Sequence, residues 1–204
     1  MVYMKNKFIV IEGIDGAGKS TLTAKLAERF KGSCEVFAEP TRISPYSQSI
    51  RDMLTGQNKE NVGELLTLFK KDRIWNIKNN IQTSLNKNKL TVLDRYYFST
   101  AAYQGQNQQE VRGIVNEYQD DEEILQPDYV FYLKLTADEA LKRISKRGEA
   151  KAIFENKPRL ISIMQNYDYI FSNLELNFPC FMLDARYASE DIVDFIVTTV
   201  FPVE

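Results

Sequence analysis

The sequence has no histidine in its 204 residues and only two cysteines, Cys34 and Cys180. Without imidazole there can be no Ser-His or Cys-His nucleophilic system, no histidine general base and few transition-metal sites. The two cysteines fit no metal-ligand spacing and lie in apolar runs. We therefore interpret them as reduced core thiols, which favours a cytoplasmic location. The chemistry left to the chain uses carboxylates, arginine, lysine, hydroxyl groups and the backbone.

Long apolar runs and a strong net charge are also missing. The formal net charge is −2, and 44% of the residues are hydrophobic and 26% charged. We expect no signal peptide or membrane span. We also expect no bulk attraction to nucleic acid or to an anionic membrane. Length and composition are those of a globular protein, most simply one domain spanning residues 1–204.

The clearest motif joins a predicted strand to a predicted helix near the start of the chain. Residues 8–11 form an apolar run typical of a buried parallel strand, and residues 22–30 have helical spacing. Between them, residues 13–20 fit G-x-x-x-x-G-K-[ST] without mismatch. The N–H groups of such a loop hold phosphates, Lys19 would reach the β- and γ-phosphates, and Ser20 would offer a hydroxyl group to Mg²⁺. The predicted ATP-binding residues of the loop are Gly13, Ile14, Asp15, Gly16, Ala17, Gly18, Lys19, Ser20 and Thr21.

Strand and helix patterns alternate along the rest of the chain. The predicted strands are 8–11, 34–38, 90–93, 129–135 and 179–183. The predicted helices after the first are 46–54, 62–86, 98–103, 137–146, 160–174 and 189–200. We expect Ser189 to cap the last helix and residues 147–157 to form a mobile connection, and we assign nothing to the polar stretch 105–126. The alternation predicts a mostly parallel five-stranded sheet flanked by helices. Together with the loop motif, it predicts an α/β, three-layer P-loop NTPase fold.

Polar residues follow several of the predicted strands. Asp94 and Arg95 come directly after the strand at 90–93, where an acid beside a P-loop strand is placed to hold Mg²⁺ and an arginine to bind a second phosphate. The alternative is a strand-end salt bridge. Residues 39–41 and 184–185 also follow strands. Because ligands of such folds bind at the carboxyl ends of the strands, we expect these groups to share one site with the loop.

Phe69 and Arg73 lie four residues apart in the long predicted helix and so face the same way. Together they could form a flat apolar platform with a hydrogen-bond donor beside it, which suits a nucleobase. The alternative, which the sequence alone favours, is a core phenylalanine and a surface arginine.

These motifs resemble the thymidylate kinase (dTMP kinase) family of P-loop nucleoside monophosphate kinases in order and in spacing. The matching segments are Glu12 to Thr21, Glu39-Pro40-Thr41, Leu68-Phe69-x-x-Asp72-Arg73 and Asp94 to Gly105. The resemblance covers nearly the whole chain and is densest in residues 7–105. It implies an enzyme that moves the γ-phosphate of ATP to dTMP with Mg²⁺, giving dTDP and ADP for dTTP synthesis. It also implies a homodimer packed through the helices around residues 44–86.

The resemblance implies a set of acceptor-binding residues. Phe69 would stack on the thymine, Arg73 would bond a base carbonyl, and Pro40 and Gln104 would lie near the base. The set implied in full is Asp15, Glu39, Pro40, Arg51, Phe69, Arg73, Arg95, Ser99, Tyr103 and Gln104.

The same resemblance implies contacts to the sugar and the phosphate of the acceptor. Arg51 and Arg95 would hold the monophosphate, Asp15 would take the 3′-hydroxyl group, and Tyr103 would fill the space of a 2′-hydroxyl group. From the sequence alone, Arg51 reads as part of a solvated helix face and Tyr103 as a core aromatic.

The predicted lid, approximately residues 146–157, departs from the family. One group in the family carries its catalytic arginine inside the loop, where this chain has Gly16, and the other takes it from the lid. Here Ala150-Lys151-Ala152 stands where similar sequences often have an Asp-Arg pair. Arg147 is our candidate for neutralising transition-state charge, and we expect Arg143 near the adenine or phosphates of ATP. The alternative is that these cations are an exposed helix end.

The implied catalytic residues are Lys19, Asp94, Arg95 and Arg147, and the implied metal ligands are Ser20 and Asp94. Two other functions stay open from the sequence. One is a kinase of the same fold for another (deoxy)nucleoside monophosphate or a deoxynucleoside. The other is a nucleotide-binding protein whose degenerate lid supports little transfer.

Overall fold

The computed structural model describes residues 6–56, 61–146 and 157–202. Its strands are β1 (Phe8–Glu12), β2 (Cys34–Ala38), β3 (Leu90–Asp94), β4 (Tyr129–Lys134) and β5 (Cys180–Asp184). Its helices are α1 (Lys19–Arg29), α2 (Ser47–Leu54), α3 (Val62–Asn76), α4 (Gln82–Asn86), α5 (Tyr97–Gln104), α6 (Gln108–Asp120), α7 (Ala137–Ser145), α8 (Lys157–Asn173) and α9 (Ser189–Val200). A π-helical turn, Ile77–Ile81, joins α3 to α4.

The five described strands form one sheet in the order β2-β3-β1-β4-β5, and every pairing is parallel. All five residues of the central strand β1 are buried, which explains the continuous apolar run of its first four. Helix α1 packs with α9, whereas α5 packs with α6 and α8. The predicted α/β fold is confirmed, and the sheet is fully rather than mostly parallel across the described strands.

Three local features differ from the prediction. The polar stretch 105–126 contains helix α6, which begins at an Asn107 cap that accepts a hydrogen bond from the backbone N–H of Glu110 at 3.0 Å. The predicted helix at 62–86 is helical throughout but is interrupted by the π-helical turn. The prediction that Ser189 caps α9 is wrong: the cap residue is Ala188, and it makes no side-chain cap hydrogen bond.

Cys34 and Cys180 are free and half-buried, and both pack against the main hydrophobic core. Burial raises the pKa of the Cys34 thiol to about 11 and that of the Cys180 thiol to about 12. Thiols with such values are unreactive at neutral pH. Across residues 6–56, 61–146 and 157–202, no helix combines the length and the apolar character that a membrane span needs.

Candidate active site

The loop between β1 and α1 packs against helix α7. Gly16 has a φ of 81°, and a Cβ atom here would lie 2.9 Å from the carbonyl oxygen of Ala140. Only glycine fits without strain or displacement of α7. Gly18, with a φ of 100°, is the N-cap of α1 and makes no side-chain cap hydrogen bond. This cap leaves the N-terminal N–H groups of α1 available to an anion.

The Lys19 side chain is buried against the loop that precedes it. Its ammonium group donates hydrogen bonds to the carbonyl oxygens of Gly13 at 2.9 Å and Ile14 at 3.1 Å. Burial and the nearby Arg95 guanidinium lower the pKa of Lys19 from 10.5 to about 8, and the carboxylate of Asp94 opposes this shift. A phosphate group in the loop would give Lys19 an anionic partner and favour its charged form.

Ser20 and Asp94 bring a hydroxyl group and a carboxylate together beside the loop. Ser20 Oγ donates to Asp94 Oδ2 at 3.3 Å. The second carboxylate oxygen, Asp94 Oδ1, is buried and has no hydrogen-bond partner among the described residues. A buried carboxylate oxygen is costly to leave unpaired. The pair therefore offers the oxygen donors and the unused lone pairs that suit a magnesium ion.

Arg143 on α7 links the loop to the segment that follows β5. Its guanidinium donates to the carbonyl oxygens of Gly16 at 3.4 Å, Ala17 at 3.3 Å and Ala185 at 2.7 Å. Arg143 thus holds the loop on the side where Gly16 meets α7. Its predicted contact with the adenine or phosphates of ATP stays a prediction.

Arg95 occupies the centre of the site in a left-handed backbone conformation, with a φ of 74°. Such a φ is uncommon for a residue other than glycine. The guanidinium pairs with Asp15 at 2.5 Å and donates to the Tyr103 hydroxyl group at 3.2 Å. Burial favours a higher pKa for Asp15, but Arg95 and Lys19 outweigh it, and the pKa falls below 3.8. Asp15 is therefore ionised at neutral pH.

Two adjoining cavities meet at Arg95. The first has a volume of about 230 Å³, and nine of the ten residues predicted to bind the acceptor line it. These nine are Asp15, Glu39, Pro40, Phe69, Arg73, Arg95, Ser99, Tyr103 and Gln104. The second cavity is lined by the tenth residue, Arg51, and by Lys19, Ser20 and Asp94. The structure therefore brings the predicted acceptor residues together around one continuous space beside the loop.

Arg73 lies in the wall of the first cavity as part of a buried ion pair. Its Nε atom is 2.7 Å from Glu39 Oε2, and the two side chains are 2% and 4% exposed. Asn76 donates to the other oxygen of Glu39 at 3.1 Å, and Arg73 Nη2 donates to Thr100 at 3.2 Å. Burial raises the pKa of Glu39 to about 7, and Arg73 opposes the rise. The alternative that the sequence alone favoured, a surface position for Arg73, is therefore wrong.

The Nη1 atom of Arg73 is buried and has no hydrogen-bond partner among the described residues. The guanidinium carbon lies 4.9 Å from the ring centroid of Tyr96 and 4.6 Å from that of Tyr118, which holds the group in place. Phe69 lines the same cavity and is 9% exposed. A ligand here would meet an aromatic ring and an unused N–H donor.

The sequence comparisons agree with this geometry. A family model described as "Thymidylate kinase" matches residues 11–196. The thymidylate kinase of Leptospira interrogans is 37% identical over 173 residues, which are 82% of this chain and 84% of the relative. That of Brachyspira hyodysenteriae is 36% identical over 201 residues, 97% of this chain and 94% of the relative. That of Desulfotalea psychrophila is 38% identical over 185 residues, 85% of this chain and 83% of the relative.

This chain belongs to the thymidylate kinase family. The resemblance seen in the sequence is thereby confirmed, and so is the P-loop kinase fold. The chain is an enzyme of a family of ATP-dependent nucleoside monophosphate kinases that bind nucleotide substrates.

Three buried residues in or directly behind the walls of this site received no role from the sequence: Glu12, Asp72 and Tyr167. Asp72 is buried and accepts hydrogen bonds from the N–H of Thr41 at 2.8 Å, from its hydroxyl group at 2.6 Å, and from the hydroxyl group of Ser44. It therefore ties the segment after β2 to α3. Its signal in the sequence was its place one residue before Arg73, inside a segment that resembles the family. Glu12 offered another, since an acid is unusual at the buried end of a strand.

Arg147, the predicted catalytic arginine of the lid, lies outside the described residues, as do Ala150-Lys151-Ala152 and most of the predicted lid at 146–157. The roles proposed for this segment stay predictions. The described chain resumes at Lys157, where α8 begins, three residues before the predicted start of that helix.

Proposed function

We propose that this kinase transfers the γ-phosphate of ATP to dTMP, giving dTDP and ADP in the supply of dTTP. Membership of the thymidylate kinase family and the names of the relatives support this reaction. The observation that carries it in the structure is the meeting of two cavities at Arg95. One side offers a phosphate-binding loop, and the other offers Phe69 beside the unpaired Nη1 atom of Arg73.

On the donor side, the loop N–H groups and Lys19 would bind the phosphates of ATP. Ser20 and Asp94 would hold a magnesium ion, with phosphate oxygens and water completing its ligands. The unpaired Asp94 Oδ1 supports this assignment. When bound, the ion would neutralise charge on the phosphate oxygens. No group of three acidic or cysteine side chains capable of holding a metal is found in the described part of the chain, and a phosphate-bound magnesium needs none.

On the acceptor side, Phe69 would stack on the base and Arg73 Nη1 would donate to a base carbonyl. Arg51 and Arg95 would hold the monophosphate where the two cavities join. Tyr103, next to Asp15, would occupy the space of a 2′-hydroxyl group and so favour a deoxynucleotide. The positions of these side chains around the cavities support the roles.

The transfer itself needs no general base, because a phosphate monoester is already largely ionised at pH 7. The acceptor oxygen would attack the γ-phosphorus in line with the leaving oxygen of ADP. Catalysis then consists of positioning and charge stabilisation, which suits a site without histidine. Lys19 and Arg147 would stabilise the charge that develops on the transferred group, and closure of the lid would exclude water as a competing acceptor.

We also propose that the kinase acts as a homodimer packed through residues 44–86 and that it works in the cytoplasm. Exposed apolar side chains in and beside this region support the dimer: Ile43 is 70% exposed and Val62 is 44% exposed. The cytoplasmic location is inferred from the interpretation of Cys34 and Cys180 as reduced thiols. Neither alternative from the sequence, another acceptor or a binding protein without transfer, is favoured by the comparisons.

Chromatographic detection of products tests the reaction. ATP, Mg²⁺ and dTMP should give equal amounts of dTDP and ADP. Asp94→Asn should lose most of this turnover, whereas Asp168→Asn, which removes an acid paired with Lys134 on the surface, should not. ADP formed without dTDP would indicate hydrolysis and would contradict the proposal.

A further inference from the structure

Glu12 is a fully buried carboxylate between the end of β1 and the start of α5. Its Oε1 atom accepts hydrogen bonds from the backbone N–H groups of Tyr96 at 2.6 Å and Ser99 at 3.3 Å. Its Oε2 atom accepts from the hydroxyl groups of Ser99 at 2.7 Å and Tyr167 at 2.9 Å. An ionised carboxylate only accepts hydrogen bonds, so the charged form satisfies all four contacts at once.

Arg95 lies on the far side of the same two hydroxyl groups. Its Nη1 atom donates to Ser99 Oγ at 3.2 Å and to the Tyr167 oxygen at 3.5 Å. The two hydroxyl oxygens are 2.7 Å apart. Each hydroxyl group has one proton and two lone pairs. When both hydroxyl groups donate to Glu12, their lone pairs can accept from the guanidinium of Arg95.

Glu12 also fixes the backbone on which Arg95 stands. The N–H of Tyr96, directly after Arg95, donates to Glu12, and the N–H of Arg95 donates to the carbonyl oxygen of Ile11 at 3.0 Å. Two consecutive residues of β1 therefore hold both peptide groups that flank Arg95. A left-handed conformation in a residue other than glycine persists only where the surroundings impose it.

We propose that Glu12 is a positioning residue that orients Arg95, through Ser99 and Tyr167, toward the phosphate of the acceptor nucleotide. The inference rests on the proposed function, since that phosphate is the ligand Arg95 would hold. Glu12 and Tyr167 line neither of the two cavities and so reach the acceptor only through other residues. Disturbing them should weaken recognition of the phosphate and leave recognition of the base intact.

The ratio of dTMP affinity to thymidine affinity isolates this effect, because the two ligands differ only by the phosphate. We would measure both dissociation constants by calorimetry for the wild type, Tyr167→Phe and Tyr97→Phe. Tyr97 is a matched control, since it is equally buried and its hydroxyl group donates to Gln126 at 2.9 Å instead. The ratio should fall roughly tenfold in Tyr167→Phe, the loss expected for one hydrogen bond to a charged group, and should not change in Tyr97→Phe.

Glu12→Gln provides a stronger second test. Its amide group would donate to the hydroxyl groups and turn their protons toward Arg95, so the ratio should fall further than in Tyr167→Phe. Tyr167→Phe keeps the inference testable if Glu12→Gln does not fold.

Several outcomes would overturn the inference. An unchanged ratio in Tyr167→Phe would overturn this inference and leave the proposed function standing. Equal falls in the ratio in Tyr167→Phe and Tyr97→Phe would do the same. Parallel weakening of dTMP and thymidine in Tyr167→Phe would show a general distortion of the pocket and would also overturn it. A wild type that binds dTMP no better than thymidine would instead overturn the proposed function, and this inference with it.

Discussion

Glu39 and Arg73 are 34 residues apart in sequence and form a buried ion pair with a separation of 2.7 Å at the inner wall of the acceptor cavity. The pair joins the segment after β2 to the last turn of α3. Removing one member of such a pair leaves an uncompensated buried charge, so the two side chains depend on each other. Two of the three guanidinium nitrogens of Arg73 donate hydrogen bonds to protein groups, which leaves Nη1 for a ligand.

Arg73→Lys should separate the two tasks of this arginine. Lysine keeps a cation for Glu39, but its donors share a single nitrogen and cannot reach Glu39 and the cavity at once as the guanidinium fork does. We expect KM for dTMP to rise about tenfold or more, equivalent to about 1.4 kcal/mol, with a smaller change in KM for ATP. Arg112→Lys, at an exposed arginine that binds Tyr169, is the control. An unchanged KM for dTMP in folded Arg73→Lys would contradict the base-binding role.

Phe69→Ala should weaken acceptor binding by about 1–3 kcal/mol if the ring stacks on the base. Leu65 belongs to the same hydrophobic cluster but does not line the acceptor cavity. Leu65→Ala therefore controls for loss of packing alone. Binding of dTMP, measured by calorimetry, should fall only in Phe69→Ala. Equal losses in both variants would assign Phe69 to packing.

Gly16→Ala should impair ATP binding, because the new Cβ atom would meet the backbone of α7 and the φ of 81° is unfavourable for alanine. Gly113, in the middle of α6, has open space at its Cβ position and no positive φ. Gly113→Ala should raise the free energy of unfolding by about 0.4–1 kcal/mol without changing the affinity for ATP. A Gly16→Ala variant with normal ATP affinity would show that the loop can move away from α7.

Lys19 should take up protons when ATP binds at alkaline pH. Its pKa of about 8 leaves it roughly half neutral in the free enzyme at pH 8, whereas bound phosphates favour the charged form. ATP binding should therefore take up about 0.5 proton at pH 8 and almost none at pH 6.5. ATP affinity should fall as the pH rises above 8.

Calorimetry in buffers with different ionisation heats measures this uptake. It should persist in Lys25→Arg, at a lysine on the same helix paired with Glu190, and disappear in Lys19→Arg. Absence of uptake at pH 8 in the wild type would contradict the low pKa.

The sequence located all five strands to within one residue at each end, because each is a short apolar run between polar segments. Helix α6 was missed because its polar surface dominates the composition of 105–126. Its buried residues Val111, Val115 and Tyr118 are spaced as a helix requires, and the Asn107 cap was also readable. The π-helical turn had no such signal, since its residues continue the helical period.

The resemblance was enough to name the acceptor-binding residues, but the sequence could not predict their burial or the residues with which they pair. The burial of Arg73 depends on Glu39, which only the parallel sheet brings beside α3. Glu12 and Tyr167 meet across 155 residues of sequence. Local periodicity carries no information about such pairs, because it reports which face of an element is apolar and not what that face meets.

ADP release with ATP, Mg²⁺ and a panel of acceptors tests the central claim most directly. The panel is dTMP, dUMP, dCMP, dGMP, AMP, UMP and thymidine. We predict a strong preference for dTMP. Turnover with UMP should be low because Tyr103 would block a 2′-hydroxyl group, and turnover with thymidine should be low because Arg51 and Arg95 would have no phosphate to hold. Equal or better turnover with another acceptor would contradict the assignment of dTMP as the acceptor. Absence of turnover with every acceptor, in protein that still binds ATP, would contradict the kinase function.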